Sequence, residues 1–195
     1  SFEDGGRLYS SWMLEEPFST EHNAFFSYNK DLNGNPFVRL YGADDFLLNG
    51  MEVIEGTIDL EKLKSGKYIL LSVECNDDGT VIENPNISVG DTVRINHLKA
   101  EELSTTITDS YDFIIMAKVR ANENTATTRN TGESRFYLPT EIFLPLCDNP
   151  HLVSFPFDVK EGTEAEMAEF LNSYIDSVEP SMDFESKATY TSSFD

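Results

Sequence analysis

Three histidines (His22, His97, His151), two cysteines (Cys75, Cys147) and adjacent carboxylate pairs such as Glu15-Glu16, Asp44-Asp45, Asp77-Asp78 and Glu101-Glu102 are the side chains of this 195-residue chain that could do chemistry. Histidines ligate a metal when they recur at short, defined spacings, and a His-Glu-x-x-His helix would hold zinc. Here they stand far apart with no partner spacing, so they read as surface or hydrogen-bonded structural residues. A glycosidase needs two carboxyl groups facing each other across a cleft. Neighbouring acids instead point to opposite faces of a strand or diverge on a helix, and with 35 acidic residues in the chain a solvated surface is the better account of the pairs.

The remaining chemical signatures fall away in the same manner. The chain has no Gly-rich phosphate loop with Lys and Ser/Thr and no Gly-x-Ser-x-Gly elbow. Asp31, Asn33 and Asn35 imitate the start of a calcium loop, but Pro36 stands where that loop wants glycine and Gly42 where it wants glutamate. Cys75 and Cys147 sit in apolar surroundings, as two buried thiols or as one disulfide. Trp12, Tyr9, Phe18, Phe25, Phe26 and Tyr28 could form a carbohydrate platform, yet they alternate as a buried strand face does and are read as core. No catalytic residue, no cofactor-binding residue and no metal ligand is assigned, and the chain is expected to be no enzyme.

The elements that would position these residues follow from periodicity and turn chemistry. Residues 23–28 and 36–41 flank Asn33-Gly34, a hairpin signal because Asn-Gly supplies positive φ. Asp59 caps a short helix over 60–64 that Gly66 ends, followed by a buried strand over 67–73 and a turn at 76–79. Strands are expected at 87–95, 111–119 and 135–138, with an exposed, mobile loop over 121–132 and a short helical turn after Pro139. An extended run over 152–159 leads to a helix opening at Thr163, whose Glu166 has capping-box spacing. Met167, Phe170, Leu171, Tyr174, Ile175 and Val178 follow helical spacing, so this stripe is expected to pack on a sheet while Glu164, Glu169 and Asp176 stay wet, and a strand over 182–186 completes a β-α-β unit.

Composition limits the classes of function. Hydrophobic residues make up 39% of the chain and aromatics 12%, enough for a core, so one domain or two small interlocked subdomains is expected. The formal charge of −21 opposes a phosphate backbone and an anionic membrane surface alike, so nucleic acid is excluded as a partner. The longest apolar run, 113–117, is far short of the roughly 20 residues of a spanning helix.

Four phrases in order carry a family resemblance: Arg39-Leu40-Tyr41-Gly42-Ala43-Asp44, Val53-Ile54-Glu55-Gly56-Thr57-Ile58-Asp59, Ser65-Gly66-Lys67-Tyr68-Ile69-Leu70 and Ile87-Ser88-Val89-Gly90-Asp91-Thr92-Val93-Arg94-Ile95. With Phe136-Tyr137-Leu138-Pro139 and the closing Phe184-Glu185-Ser186-Lys187-Ala188-Thr189-Tyr190, the chain from Phe37 to Tyr190 resembles the extracytoplasmic domain of MacB/FtsX-like ABC transporter permeases. Thr57 stands where that family usually has arginine after the glycine. The resemblance implies an α+β fold, with a porter-like, ferredoxin-type β-α-β subdomain (1–43 and 151–195) and an inserted β-rich, sabre-like subdomain (44–150). It also implies a place on the extracytoplasmic face of the plasma membrane as the soluble domain of an integral membrane protein. The partners implied are a cytoplasmic ABC ATPase, a second permease copy, and a substrate or protein outside the membrane. The role implied is coupling of ATP-driven helix motion to export or to that outer partner, without cofactors. The alternative is a secreted carbohydrate-active or adhesin-type binding protein.

Overall fold

A computed structural model describes residues 2–22, 25, 30, 33–101, 104–120, 133–159, 162–163, 165–166, 168–170 and 172–173. The fold is mixed α and β, with far more strand than helix. Two compact units divide the chain: one holds Ser1–Gly5 and Pro156–Asp195, the other Gly6–Phe155.

The larger unit is built on strands β2 (Leu8–Ser10), β3 (Phe18–Thr20), β4 (Phe37–Ala43), β5 (Val53–Gly56), β6 (Tyr68–Cys75), β7 (Val81–Glu83), β8 (Thr92–Leu98), β9 (Ile107–Arg120), β10 (Ser134–Pro139) and β11 (His151–Ser154). The pairings β10-β6-β9-β8-β3-β4 run in sequence, and β4 returns to β10 in parallel over Ser134↔Val38 to Pro139↔Ala43. Six strands therefore close into a ring. Closure leaves none of these strands with a bare edge, so their backbone donors and acceptors are met within the sheet.

Alternation explains how the ring fills. Phe18, Val38 and Leu40, Ile69 and Leu71, Val93 and Ile95, Phe113 and Ile115, and Phe136 and Leu138 all join one cluster, which draws on every ring strand and so marks the inward face. The intervening Tyr41, Leu70 and Tyr137 join a second cluster with Leu48 of helix α1 (Asp45–Asn49) and Leu63 of helix α2 (Leu60–Leu63), which cover the outer face. Tyr41 and Tyr137 stack there at 5.0 Å. Each buried aliphatic or aromatic side chain contributes about 1.5–3 kcal/mol.

Several expected elements appear. Asp59 caps α2, its Oδ1 accepting from the Lys62 N–H at 3.2 Å. The strands expected at 67–73, 87–95, 111–119 and 135–138 are β6, β8, β9 and β10, and helix α3 (Thr140–Phe143) follows Pro139. Two glycines of the permease-like phrases have steric reasons. A Cβ on Gly42 would lie 2.4 Å from Cδ1 of Phe143, so the bare backbone lets α3 press its ring onto β4. Gly56 has φ +82 and only 2.6 Å between an added Cβ and the Met116 carbonyl, so neither backbone nor neighbour tolerates a side chain.

The structure also departs from expectation. β2, β3 and α1 carry no sequence signal named above. By compactness the chain divides at Gly5/Gly6 and Phe155/Pro156, and the β4–β10 and β2–β4 pairings stitch β2, β3 and β4 into the same sheet as β6, β8 and β9. Of the first hairpin strand only Phe25 is described, buried in the inner cluster, and a bridge between Lys30 and Pro36 spans the turn. The loop expected over 121–132 and the strand expected over 182–186 lie outside the described residues.

In the smaller unit, β1 (Phe2–Gly5) pairs antiparallel with β12 (Phe157–Val159), through Phe2↔Val159, Asp4↔Asp158 and Gly5↔Phe157. Helical backbone is present at 165–166, 168–170 and 172–173. Ala168 is buried there, whereas Phe170 is 64% exposed, which corrects its expected place on the packed stripe. The buried direction passes through Ala168, two positions and about 200° of helix away from Phe170. Met167, Leu171, Tyr174, Ile175 and Val178 lie outside the described residues.

Candidate functional site

Two of the histidines and one of the carboxylate pairs meet at a turn that no spacing in the sequence announces. Residues 12–16 fold back on themselves, with the Glu15 and Glu16 N–H groups donating to the Trp12 carbonyl at 3.1 and 2.6 Å, before Pro17 leads into β3. Adjacent side chains diverge from such a turn, and here both find histidines. Glu15 reaches outward to Nε2 of His151 at 2.6 Å, and Glu16 turns inward to Nε2 of His97 at 3.0 Å.

Glu16 is 2% exposed, and a buried carboxylate is costly unless its oxygens are met. They are. The Asp148 N–H donates to Oε1 at 2.8 Å and the Asn149 side-chain amide donates to Oε2 at 3.4 Å. His97 is held in turn by stacking on Phe18, ring centres 4.5 Å apart and planes 15° from parallel. One carboxylate thus ties the turn before β3 to β8 and to the segment that enters β11.

Cys147 sits beside this pair. Burial first, then the negative charge of Glu16, pushes its thiol up to about 12, so it is a neutral buried thiol at neutral pH and a poor nucleophile. Burial also raises Cys75. Both cysteines are free and buried, which settles the alternatives in favour of two thiols. Among the described residues no group of three or more His, Cys, Asp or Glu side chains is placed to hold a metal ion. His22 makes an edge contact with Phe25 at 5.4 Å.

The other carboxylate pairs separate. Asp44 accepts from the Arg7 N–H at 2.8 Å and from its Nε at 2.9 Å; burial alone would raise Asp44, but these bonds outweigh it and hold the carboxyl below its ordinary value. Asp45 pairs with Lys64 at 2.7 Å, joining α1 to the end of α2. Asp77 and Asp78 occupy the exposed turn between β6 and β7, where Asp78 accepts from the Thr80 N–H at 2.9 Å. Glu101 pairs with Lys99 at 3.3 Å, and Glu102 lies outside the described residues.

Of the six aromatics near the N-terminus, Phe18 and Phe25 are core, Tyr9 is partly buried, and Phe26 and Tyr28 lie outside the described residues. Trp12 departs from the expected core and is 48% exposed. Its ring lies 5.2 Å from that of His151, with the Arg39 guanidinium 5.7 Å from its centre. Arg39 is itself fixed by Glu133 at 2.8 Å, a pair almost wholly enclosed. Leu14, Leu152, Val153 and Phe155 are exposed as well. This arrangement offers a contact surface and a buried brace.

No protein-family model matches the chain, and no curated protein matches it. Among solved structures, the extracellular domain of the noncanonic ABC-type transporter YknZ from Gram-positive bacteria is similar with a TM-score of 0.48 and 10% identity, covering 89% of this chain and 76% of that one. The periplasmic region of MacB from Actinobacillus actinomycetemcomitans is similar with a TM-score of 0.45 and 14% identity, covering 89% and 67%.

Proposed function

We propose that this chain is the extracytoplasmic domain of an ABC transporter permease, doing no chemistry itself and passing ATP-driven motion of membrane helices to a substrate or partner outside the membrane. The observation that carries the reading is the pairing of β1 with β12: the two extremities of the described fold belong to one small unit, and residues 6–155 form a second unit inserted between them. A chain attached to a membrane before β1 and after the smaller unit would load both attachments onto one body, so a shift of one membrane helix against another would turn that body as a lever. The ordered phrases from Arg39 to Ile95 support the same family. In this reading the smaller unit corresponds to the porter-like, ferredoxin-type part and the inserted unit to the sabre-like part, and the partners are a cytoplasmic ATPase and a second permease copy.

The test is topological. Asp77→Cys places a thiol in an exposed turn, while Cys75 and Cys147 are buried and give little background. In intact cells making the gene product that carries this chain, a membrane-impermeant maleimide should label the variant, and the protein should sediment with membranes. Labelling only after permeabilisation overturns the reading. Release into the medium supports the secreted carbohydrate-binding or adhesin alternative instead. Turnover of ATP or a glycoside by the purified chain, abolished by one carboxylate substitution, overturns the non-catalytic part.

A further inference from the structure

The closed ring of the larger unit carries an extension that ends in a bare strand. β2 continues the sheet from β4, and β11 pairs antiparallel with β2 through His151↔Ser10, Leu152↔Tyr9 and Ser154↔Leu8. Among the described residues nothing pairs with the other side of β11. An edge strand of this kind presents a row of unpaired N–H and C=O groups, and proteins commonly blunt it with lysine or with side chains that keep strangers away. β11 is kept short and is irregular in register between Leu152 and Ser154, but it carries no lysine. Leu152 is 59% exposed and Val153 42%, with Phe155 just beyond also 42% exposed.

Trp12, in the turn that follows β2, adds to the same surface. The contact of Trp12 with His151, the first residue of β11, places the indole at the start of the strand, and Arg39 beneath it holds the ring in a fixed pose. A half-exposed tryptophan braced from behind is the kind of anchor on which binding energy concentrates, because little side-chain entropy remains to be lost on docking. The brace reaches the core, since Glu15 holds His151 and Glu16 holds the segment entering the strand.

Charge selects the occupant. Two copies of this chain meeting edge to edge would bring together two bodies of −21 each, so a second copy is disfavoured. The exposed carboxyl groups beside the strand are Asp148 and Glu15, the latter bonded to His151, and the nearby cations are already paired, Arg7 to Asp44 and Arg39 to Glu133.

We infer that the free edge of β11, with Trp12 as its anchor, docks an extended segment of another protein that alternates apolar and basic residues, adding a strand to the sheet. The inference holds whether or not the chain belongs to a permease, because its test uses the purified chain and no membrane.

Trp12 is the single tryptophan of the sequence, so its fluorescence reports this surface directly. The 195-residue chain is titrated with three short synthetic peptides: one alternating valine and lysine, one with glutamate in place of lysine, and one valine-lysine peptide interrupted by proline. The expected result is a saturable change with the valine-lysine peptide and binding weaker by about tenfold or more with the other two. Backbone amides of β11 should gain protection from hydrogen exchange. The dissociation constant should rise severalfold as salt shortens the Debye length from about 10 Å toward 3 Å. Leu152→Lys and, independently, Val153→Lys should each weaken binding by about tenfold while the far-ultraviolet dichroism is unchanged.

Four outcomes overturn the inference. These are no saturation with the valine-lysine peptide at millimolar concentration, an equal response to the glutamate peptide, protection gained away from β11, and a dimer in light scattering that Leu152→Lys abolishes, which would make a second copy the occupant.

Discussion

The six-stranded ring and the β2–β11 extension grow from the same strand, β4, yet they solve opposite problems. Ring strands meet a neighbour on each side, so their residues are specified from two directions. β11 has one neighbour, and both Leu152 and Val153, adjacent residues that point to opposite faces, are exposed. The contrast teaches that apolar content alone does not identify core. Leu152-Val153 is as hydrophobic as Leu70-Leu71, and what makes the latter interior is the closed ring on one face and the covering helices on the other.

Mutations that sharpen this contrast should span a wide range of stability. Phe136→Ala removes a fully buried ring from the inward cluster and should cost about 3–5 kcal/mol, read as a fall in urea midpoint at unchanged slope. An effect below about 1 kcal/mol would mean that the ring interior is not packed as described.

Glu16→Ala acts where ring and extension are joined. It strands the Asp148 N–H and the Asn149 amide and leaves His97 without its carboxylate, at a cost of about 1–3 kcal/mol. It should also speed hydrogen exchange in β11 more than in β8, whereas equal acceleration would show that Glu16 does not brace the extension.

Asp44 sits at the root of β2, and its effect depends on pH. Its native value lies below that of an unfolded aspartate, so the Arg7–Asp44 contact adds stability above the ordinary value of about 3.9 and loses it as pH falls through the lowered native value. In Asp44→Asn the acid side of the stability profile should flatten. Cys147 works in the opposite sense. Its raised native value adds stability that is complete below about 8.5 and lost as pH rises toward the native value, so Cys147→Ala should flatten the alkaline side. A wild-type profile in either variant would mean that the corresponding group is not held as described.

Leu152→Lys should have the smallest effect on stability, within about 0.5 kcal/mol, because its side chain already meets water. A large loss would show that β11 is covered in solution.

The legible part of this fold was the part governed by neighbours in sequence. Asp59 before α2 and the period-two runs of β6, β8, β9 and β10 are local statements, and they were readable as such. β2 and β3, three residues each, are too short to establish a period and owe their state to β4 and β8. The brace was illegible for a related reason, since Glu15 and His151 are 136 positions apart and a dipeptide of acids is commonplace in so acidic a chain. Phe170 shows the converse error, a residue with correct helical spacing on a helix whose buried direction the spacing alone did not fix.

The seam between β4 and β10 has a bearing on how the chain reaches this state. The Arg39–Glu133 contact beside it joins residues 94 positions apart, and the entropy of closing so long a loop is lost before any contact in the seam can repay it. The β8–β9 hairpin, built from near neighbours, has no such delay. Closure of the barrel should therefore come after the rate-limiting barrier. In stopped-flow refolding, Leu138→Ala at the seam should leave the folding rate nearly unchanged and accelerate unfolding, whereas Val93→Ala in the hairpin should slow folding itself. The last contact to form is then the first to open, and the ring that is closed when native acquires two edges whenever that seam parts.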